Sequence, residues 1–244
     1  MAQIEKLQEI IDESKRIVFF GGAGVSTESG VPDFRSEDGL YHQKYDYSPE
    51  VMLSHSFFEY HPSEFFKFYK DKMLLDNIDP NAAHIALAKL ESAGKLDCVI
   101  TQNIDGLHQK AGSKKVYELH GSVLRNYCEG CGEFYNAGFI KQSIDVPHCT
   151  HCGRIIKPDV VLYEESLNEQ TVQNAVNAIS NCDTLIVGGT SLVVYPAAGL
   201  LRYFRGRHLV LINRDETSAD SSAELIIREK IGEVLSKIKI RGTV

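Results

Sequence analysis

The chain has 244 residues, 43% of them hydrophobic and 24% charged, which is the composition of an ordinary globular protein able to bury one large core plus a small appendage. Its formal net charge of −7 argues against a general nucleic-acid binder and suits an enzyme whose partners carry positive charge. There is no apolar run near the roughly 20 residues of a membrane span, and the N-terminus lacks a signal-peptide layout, so a cytoplasmic protein with no membrane or nucleic-acid partner is expected.

Ile4, Leu7, Ile10 and Ile11 have helical spacing and predict an amphipathic opening helix. Arg16-Ile17-Val18-Phe19-Phe20 reads as a buried strand, followed at once by the Gly-rich run Gly21 to Arg35. Such a run either serves a tight turn or brings N–H groups up to a phosphate, and a helix starting near Thr27 would aim its positive end at the same anion. Pro32-Asp33-Phe34-Arg35 then adds an acid, an aromatic ring and a guanidinium, enough to hold several parts of a dinucleotide. The run departs from the dehydrogenase fingerprint: Thr27 stands where the third Gly belongs, and no apolar strand precedes Lys44-Tyr45-Asp46-Tyr47.

Residues 37–80 are rich in aromatics and read as a lid loop followed by short helices, with Pro49 and Pro62 at helix starts. The aromatic cluster is expected to form a small satellite core. An Asn81-capped helix, strands at 97–101 and 116–119, a strand at 159–163, a helix at 168–180, a strand at 184–187, a helix after Pro196, a strand at 209–212 and a final helix near 230–238 complete the pattern. Strands alternating with helices predict an α/β fold, a Rossmann-like parallel sheet covered on both faces. The expected division is a discontinuous dinucleotide-binding domain (1–40, 81–124 and 156–244), a helical part (41–80) and a zinc-ribbon module (125–155).

Cys128-x-x-Cys131 and Cys149-x-x-Cys152, separated by roughly 15–20 residues, match two knuckles of a tetrahedral zinc site. Gly130, Gly132 and Gly153 permit the turns, and His148 or His151 could replace a Cys, although four thiolates are the simpler set. In parallel sheets ligands sit beyond the carboxyl ends of the strands. The residues there are Gly21–Arg35, Gln102 to Asp105, His120-Gly121-Ser122, Gly188–Ser191 and Asn213-Arg214, small, polar or ionisable at every strand end. Gln102, Asn103 and Asp105 suit ribose hydroxyls and a carboxamide, Thr190 and Ser191 repeat the phosphate-type turn, and Asn213 suits a second ribose. His120 suits proton abstraction at neutral pH.

Together and in order, residues 22–35, Thr101 to His108, Glu118-Leu119-His120-Gly121, the four cysteines and Gly189-Thr190-Ser191-Leu192 make nearly the whole chain resemble a sirtuin, an NAD-dependent protein lysine deacylase. The resemblance implies that Gly22, Ala23, Gly24, Thr27, Phe34 and Arg35 form the cofactor-binding loop, with Phe34 shielding the reactive ribose. It implies that Gln102, Asn103, Ile104 and Asp105 line the nicotinamide and its ribose. Gly189, Thr190, Ser191, Asn213 and Arg214 would hold the phosphates and adenosine, with Lys230 and Ile231 near the adenine. Val160, Val161, Leu162 and Tyr163 would clamp the substrate peptide.

The implied reaction joins the acyl-lysine carbonyl oxygen to the ribose carbon that carries nicotinamide, which leaves. His120 is the general base on the ribose diol, whose 2′-oxygen attacks the resulting imidate carbon, and water completes release of free lysine and O-acyl-ADP-ribose. The implied zinc is structural, and the implied partners are acetylated lysine-containing proteins or peptides, met by a monomer. Protein mono-ADP-ribosyl transfer on the same cofactor remains an alternative. Two departures concern specificity. Glu164 stands where many members have Gly in the clamp, and Tyr69-x-x-Lys72 has Lys where members that remove acidic acyl groups have Arg, so acetyl-lysine is the expected substrate.

Overall fold

The computed structural model describes residues 2–33 and 47–240. Helix α1 (Ala2–Glu13) buries Leu7, Ile10 and Ile11 and leads into β1 (Ile17–Gly21), buried along its whole length. No helix begins at Thr27. The Gly-rich run instead makes two short 3-10 turns, Ala23–Val25 and Thr27–Ser29, the second closed by Gly30 at φ +86. Helices α2 (Pro49–Met52), α3 (His55–Tyr60) and α4 (Pro62–Lys72) follow, two of them with proline in the first turn. Helix α5 (Ala82–Ser92) starts in a capping box made by Asn81 and His84. It precedes β2 (Leu96–Thr101), α6 (Leu107–Lys110) and β3 (Val116–Glu118).

Strand β4 (Gly121–Cys128), strand β5 (Phe134–Asn136), helix α7 (Ala137–Gln142) and strand β6 (Ile156–Val160) build a separate antiparallel sheet, ordered β5-β4-β6. The expected strand at 159–163 is thereby corrected: it ends at Val160 and pairs with β4, not with the parallel sheet, because Ile156, Pro158 and Val160 alternate inward. Helix α8 (Glu169–Asn181), strand β7 (Thr184–Gly188), a 3-10 helix at Ala197–Tyr203, strand β8 (His208–Ile212), strand β9 (Leu225–Ile227) and helix α9 (Ile231–Ser236) return to the large sheet.

That sheet is six-stranded, ordered β3-β2-β1-β7-β8-β9, with every pair parallel. Alternate residues of β1 face opposite ways: Ile17 and Phe19 pack with α1, α5 and α9, whereas Val18 and Phe20 pack with α8 and the 197–203 helix. The aromatics of α3 and α4 form their own core, as expected, but it also includes Val123, Tyr135, Ile140, Ile156, Val160 and Leu162 from around the small sheet. Among the described residues no helix is long and apolar enough to cross a membrane.

His84 and His108 sit in the floor of the large core, both buried, with rings 4.7 Å apart and edge to face. Burial pushes His84 down to about 4, opposed by the charge of Asp105. It pushes His108 to about 3, and His84 adds to the effect. Both values lie below the ordinary 6.5, so the unfolded chain binds more protons in that interval. The stability from keeping these rings neutral is present above pH 6.5 and is lost as pH falls towards 4 and 3. Calorimetry should show Tm falling across that range. Neither ring nitrogen of His108 has a hydrogen-bond partner among the described residues, so His108→Phe should flatten the slope at little cost at pH 7. An unchanged slope in the variant would assign the acid sensitivity elsewhere.

Candidate functional site

The order of the large sheet reverses between β1 and β7, which opens a crevice at their carboxyl ends. The two loops there are in direct contact. Gly24 N–H donates to Gly189 O at 2.8 Å, and Gly22 N–H to Gly188 O at 3.3 Å. A Cβ on Gly24 would lie 2.9 Å from Gly189 Cα, and one on Gly189 only 2.4 Å from Val25 N. Gly189 also holds φ +59, so both positions require the absence of a side chain.

A cleft of about 1610 Å³ extends from this point, larger than the ~300–1,000 Å³ of ordinary small-ligand pockets. Gly22, Ala23, Gly24 and Thr27 line it from the first loop, and Gln102, Asn103, Ile104 and Asp105 from the loop after β2. His120 enters from the step between β3 and β4. Gly189, Thr190 and Ser191 follow β7, Asn213 and Arg214 follow β8, and Lys230 and Ile231 begin α9. Val160, Val161, Leu162 and Tyr163 form part of the lining beside His120. Phe34 and Arg35 lie outside the described residues.

The strand-end side chains are laced together. Gln102 Nε2–H donates to Thr190 Oγ1 at 3.0 Å. Asn213 holds Thr190 from both sides, accepting its N–H at 3.0 Å and donating to its carbonyl at 2.9 Å. Its amide therefore braces the β7 loop. Ser26, which the sequence reading passed over, is the hub of a second cluster. Its hydroxyl donates to Asp105 Oδ2 at 2.7 Å and accepts from Asn103 Nδ2 at 3.0 Å. With Ser26 donating to Asp105, the 3.5 Å approach of His84 Nε2 is that of a donor. His84 Nδ1, which accepts from Asn81 N–H, fits that tautomer. Asp105 Oδ1 accepts from Leu107 N–H at 2.9 Å, so the carboxylate is held in one orientation.

His120 Nδ1 lies 2.9 Å from Gln102 O, a carbonyl that can only accept. The proton is thus on Nδ1, and the Nε2 lone pair has no partner among the described residues. Burial holds the imidazole below its ordinary value, partly offset by the Gln102 carbonyl, so the ring is neutral at pH 7. The arrangement leaves one unprotonated ring nitrogen on a neutral imidazole that lines the crevice.

The four Sγ atoms of Cys128, Cys131, Cys149 and Cys152 lie within 4.8 Å of one another, with 3.3 Å from Cys128 to Cys152 and 3.6 Å from Cys131 to Cys149. Sulfurs at ~2.3 Å from a tetrahedral zinc stand roughly 3.8 Å apart, so the cluster fits the ion. Backbone N–H groups of Gly130, His151 and Cys152 and the hydroxyl of Tyr135 point at these sulfurs, as thiolates require. His148 donates to Gly153 O instead and is not needed as a ligand.

The clamp segment carries a local strain. Glu164 sits at φ +77, a left-handed conformation costing of order 1 kcal/mol for a residue with a Cβ. Its carboxylate accepts from Ser56 N–H at 2.9 Å and Ser56 Oγ–H at 2.6 Å, which offsets that cost. Tyr69 and Lys72 also line the cleft. The Tyr69 hydroxyl is buried without a partner among the described residues, and Lys72 pairs with Asp71 at 3.0 Å.

Residues 22–196 match the model of the Sir2 family. An NAD-dependent protein deacetylase of Clostridium perfringens (strain 13 / Type A) is 63% identical over 239 residues, covering 97% of this chain and 98% of its own. A solved structure of Sir2 with a p53 peptide and NAD+ is 41% identical over 95% of each chain, with a TM-score of 0.86. One of Sir2 bound to acetylated peptide is 38% identical over 95% of each, with a TM-score of 0.85. With this extent of agreement in sequence and backbone, the chain belongs to the Sir2 family.

Proposed function

We propose that this protein removes acetyl groups from protein lysines in an NAD-dependent reaction that yields nicotinamide, O-acetyl-ADP-ribose and free lysine. The observation that carries the reading is the neutral His120, which lines a crevice built at the strand reversal of a Sir2-family chain and whose ring is held by Nδ1 on Gln102 O. The proposed partners are acetylated proteins or peptides met by a monomer in the cytoplasm, with neither nucleic acid nor membrane involved; the net charge of −7 is in keeping with this.

When bound, NAD supplies a ribose carbon with nicotinamide as leaving group and the diol that receives the acetyl group. In this reading Gly22, Ala23, Gly24 and Thr27, with Gly189, Thr190 and Ser191, line the pyrophosphate site, the glycines letting the ligand come close to the backbone. Phe34 and Arg35 are assigned to the same loop from sequence alone. Asn213 and Arg214 hold the adenosine end, with Lys230 and Ile231 beside it. Asn103 orients the ribose, and Asp105, fixed by Ser26, orients the carboxamide with Gln102 and Ile104 around it. His120 Nε2 takes the proton from the ribose diol, while its Nδ1–H stays on Gln102 O and keeps the ring in register. Val160, Val161, Leu162 and Tyr163 receive the peptide backbone as an added strand. Zinc, held by Cys128, Cys131, Cys149 and Cys152, is structural, because four thiolates leave no open position.

His120→Ala should lose product formation by roughly 10²–10⁴-fold, with NAD affinity little changed by calorimetry. The variant should keep some acetyl-peptide-dependent exchange of labelled nicotinamide, whereas Asn103→Ala should damage that exchange itself. Because burial lowers the His120 value, the acid limb of kcat/KM should fall below pH 6.5, the ring's ordinary value. A His120→Ala enzyme that deacetylates normally would remove the assignment, and product mass would expose ADP-ribosyl transfer to protein.

Acetyl-lysine should turn over much faster than succinyl-lysine, since Lys72 makes no bidentate contact with a carboxylate. Lys72→Arg should narrow the gap. Equal rates in the unaltered protein would show that Lys72 does not set acyl choice.

Zinc content should be one per chain by elemental analysis. Cys128→Ala should release it and lower Tm, and Tyr135→Phe should weaken retention by roughly 10-fold as a lost sulfur-directed hydrogen bond. Full stability of a metal-free Cys128→Ala protein would contradict a structural role.

A further inference from the structure

The Val160–Tyr163 segment is tied down by its backbone. Val161 N–H donates to His120 O at 3.0 Å, Tyr163 N–H to Leu53 O at 3.0 Å, and His55 N–H to Tyr163 O at 3.0 Å. Just beyond it, two consecutive carboxylates turn back onto the first turn of α3. Glu164 bonds Ser56, as described above. Glu165 accepts from His55 Nδ1 at 2.8 Å, from Lys157 Nζ at 3.0 Å and from Leu162 N–H at 2.9 Å, so it grips α3, β6 and the segment at once. On its other edge His55 Nε2 lies 3.4 Å from Glu59 Oε1.

We propose that Glu164 and Glu165 form a latch that holds the peptide-accepting segment preformed against α3, and that His55 is a positioning residue whose protonation tightens it. A preformed strand spares an incoming peptide part of the ordering cost of strand addition, so the latch acts on peptide affinity. That consequence rests on the deacetylase reading; the latch itself does not.

The charged groups facing His55 are Glu165 and Glu164 from the segment's end, Glu59 from its own helix and Lys157 from β6. The Glu165 hydrogen bond raises His55 above its ordinary value and outweighs the opposing effect of burial; the Glu165 and Glu59 charges add, and Lys157 opposes. A raised His value means the contribution is complete on the acid side and is lost as pH rises through it. Protonated His55 donates to Glu165 and Glu59 together; neutral His55 has one donor for the two.

The test uses the full chain and two readouts. Amide hydrogen exchange at Leu162 and Tyr163, corrected for intrinsic rates, is compared at pH 6 and pH 8 in the parent, in His55→Gln and in Glu164→Gly. KM for an acetyl-lysine peptide is measured alongside KM for NAD. In the parent, protection should fall and peptide KM rise by roughly 3- to 10-fold between the two pH values, the effect of one charge-assisted hydrogen bond. KM for NAD should stay constant. His55→Gln, which keeps a donor but does not titrate, should be flat in both, and Glu164→Gly should lose protection at both pH values. The same pH slope in His55→Gln as in the parent, or lost protection with no change in peptide KM, overturns the proposal. No turnover of any acetyl peptide overturns the deacetylase reading instead, and the exchange measurements still decide the latch.

Discussion

The close approach of two glycine loops at the strand reversal is the constraint on which the rest of the molecule depends. With Gly24 N–H on Gly189 O, the ends of β1 and β7 are pinned together where a side chain on either loop would force them apart. That contact brings Thr190 within reach of Gln102 and Asn213, and it leaves Ser26 beside Asn103 and Asp105. The polar groups at the strand ends are therefore ordered by one another before any ligand arrives, which keeps reorganisation small when charge develops in the site.

The second sheet has a different source of stability. The aromatics of α3 and α4 cover one of its faces, and its outer strands are short. The four-cysteine cluster, which starts at the end of β4 and is suited to zinc, adjoins the aromatic core, with Cys128 and Cys149 packed into it. The segment from Val160 to Tyr163 runs from this unit to the crevice.

Much of this was legible in the sequence because it follows from periodicity and punctuation. The buried run 17–20, the Asn81 cap and the polar residues after each parallel strand announced the sheet and its ligand edge. The knuckles announced the metal. What escaped did so for physical reasons. Leu225-Ile226-Ile227 is only three residues long and lies among charges, so β9 gave no periodic signal. Lys157 and Asp159 break the apolar run of β6, whose inward residues alternate around a proline. Thr27 opens a 3-10 turn, since Gly30 ends the run before an α-helix can propagate. Nothing local marks Ser26 within its glycine run; its role as a hub comes from Asn103 and Asp105, nearly eighty positions away.

His120 stands in the two-residue step between the two sheets, and its two halves belong to different parts of the molecule. The ring is fastened to the parallel sheet through Gln102 O, while the main-chain carbonyl is fastened to Val161 in the segment proposed to accept the peptide. Gly121, next in the chain, holds φ +75 where a Cβ would lie 2.0 Å from Asp159 O, so the backbone there has no slack. A badly seated peptide that pulls on Val161 pulls on the proposed base with no intervening side chain. Since a misplacement of about 1 Å can cost roughly 10²-fold in rate, the proposed reading puts discrimination between peptides at the chemical step as well as in the encounter. On that reading a poor substrate is held without being acted on.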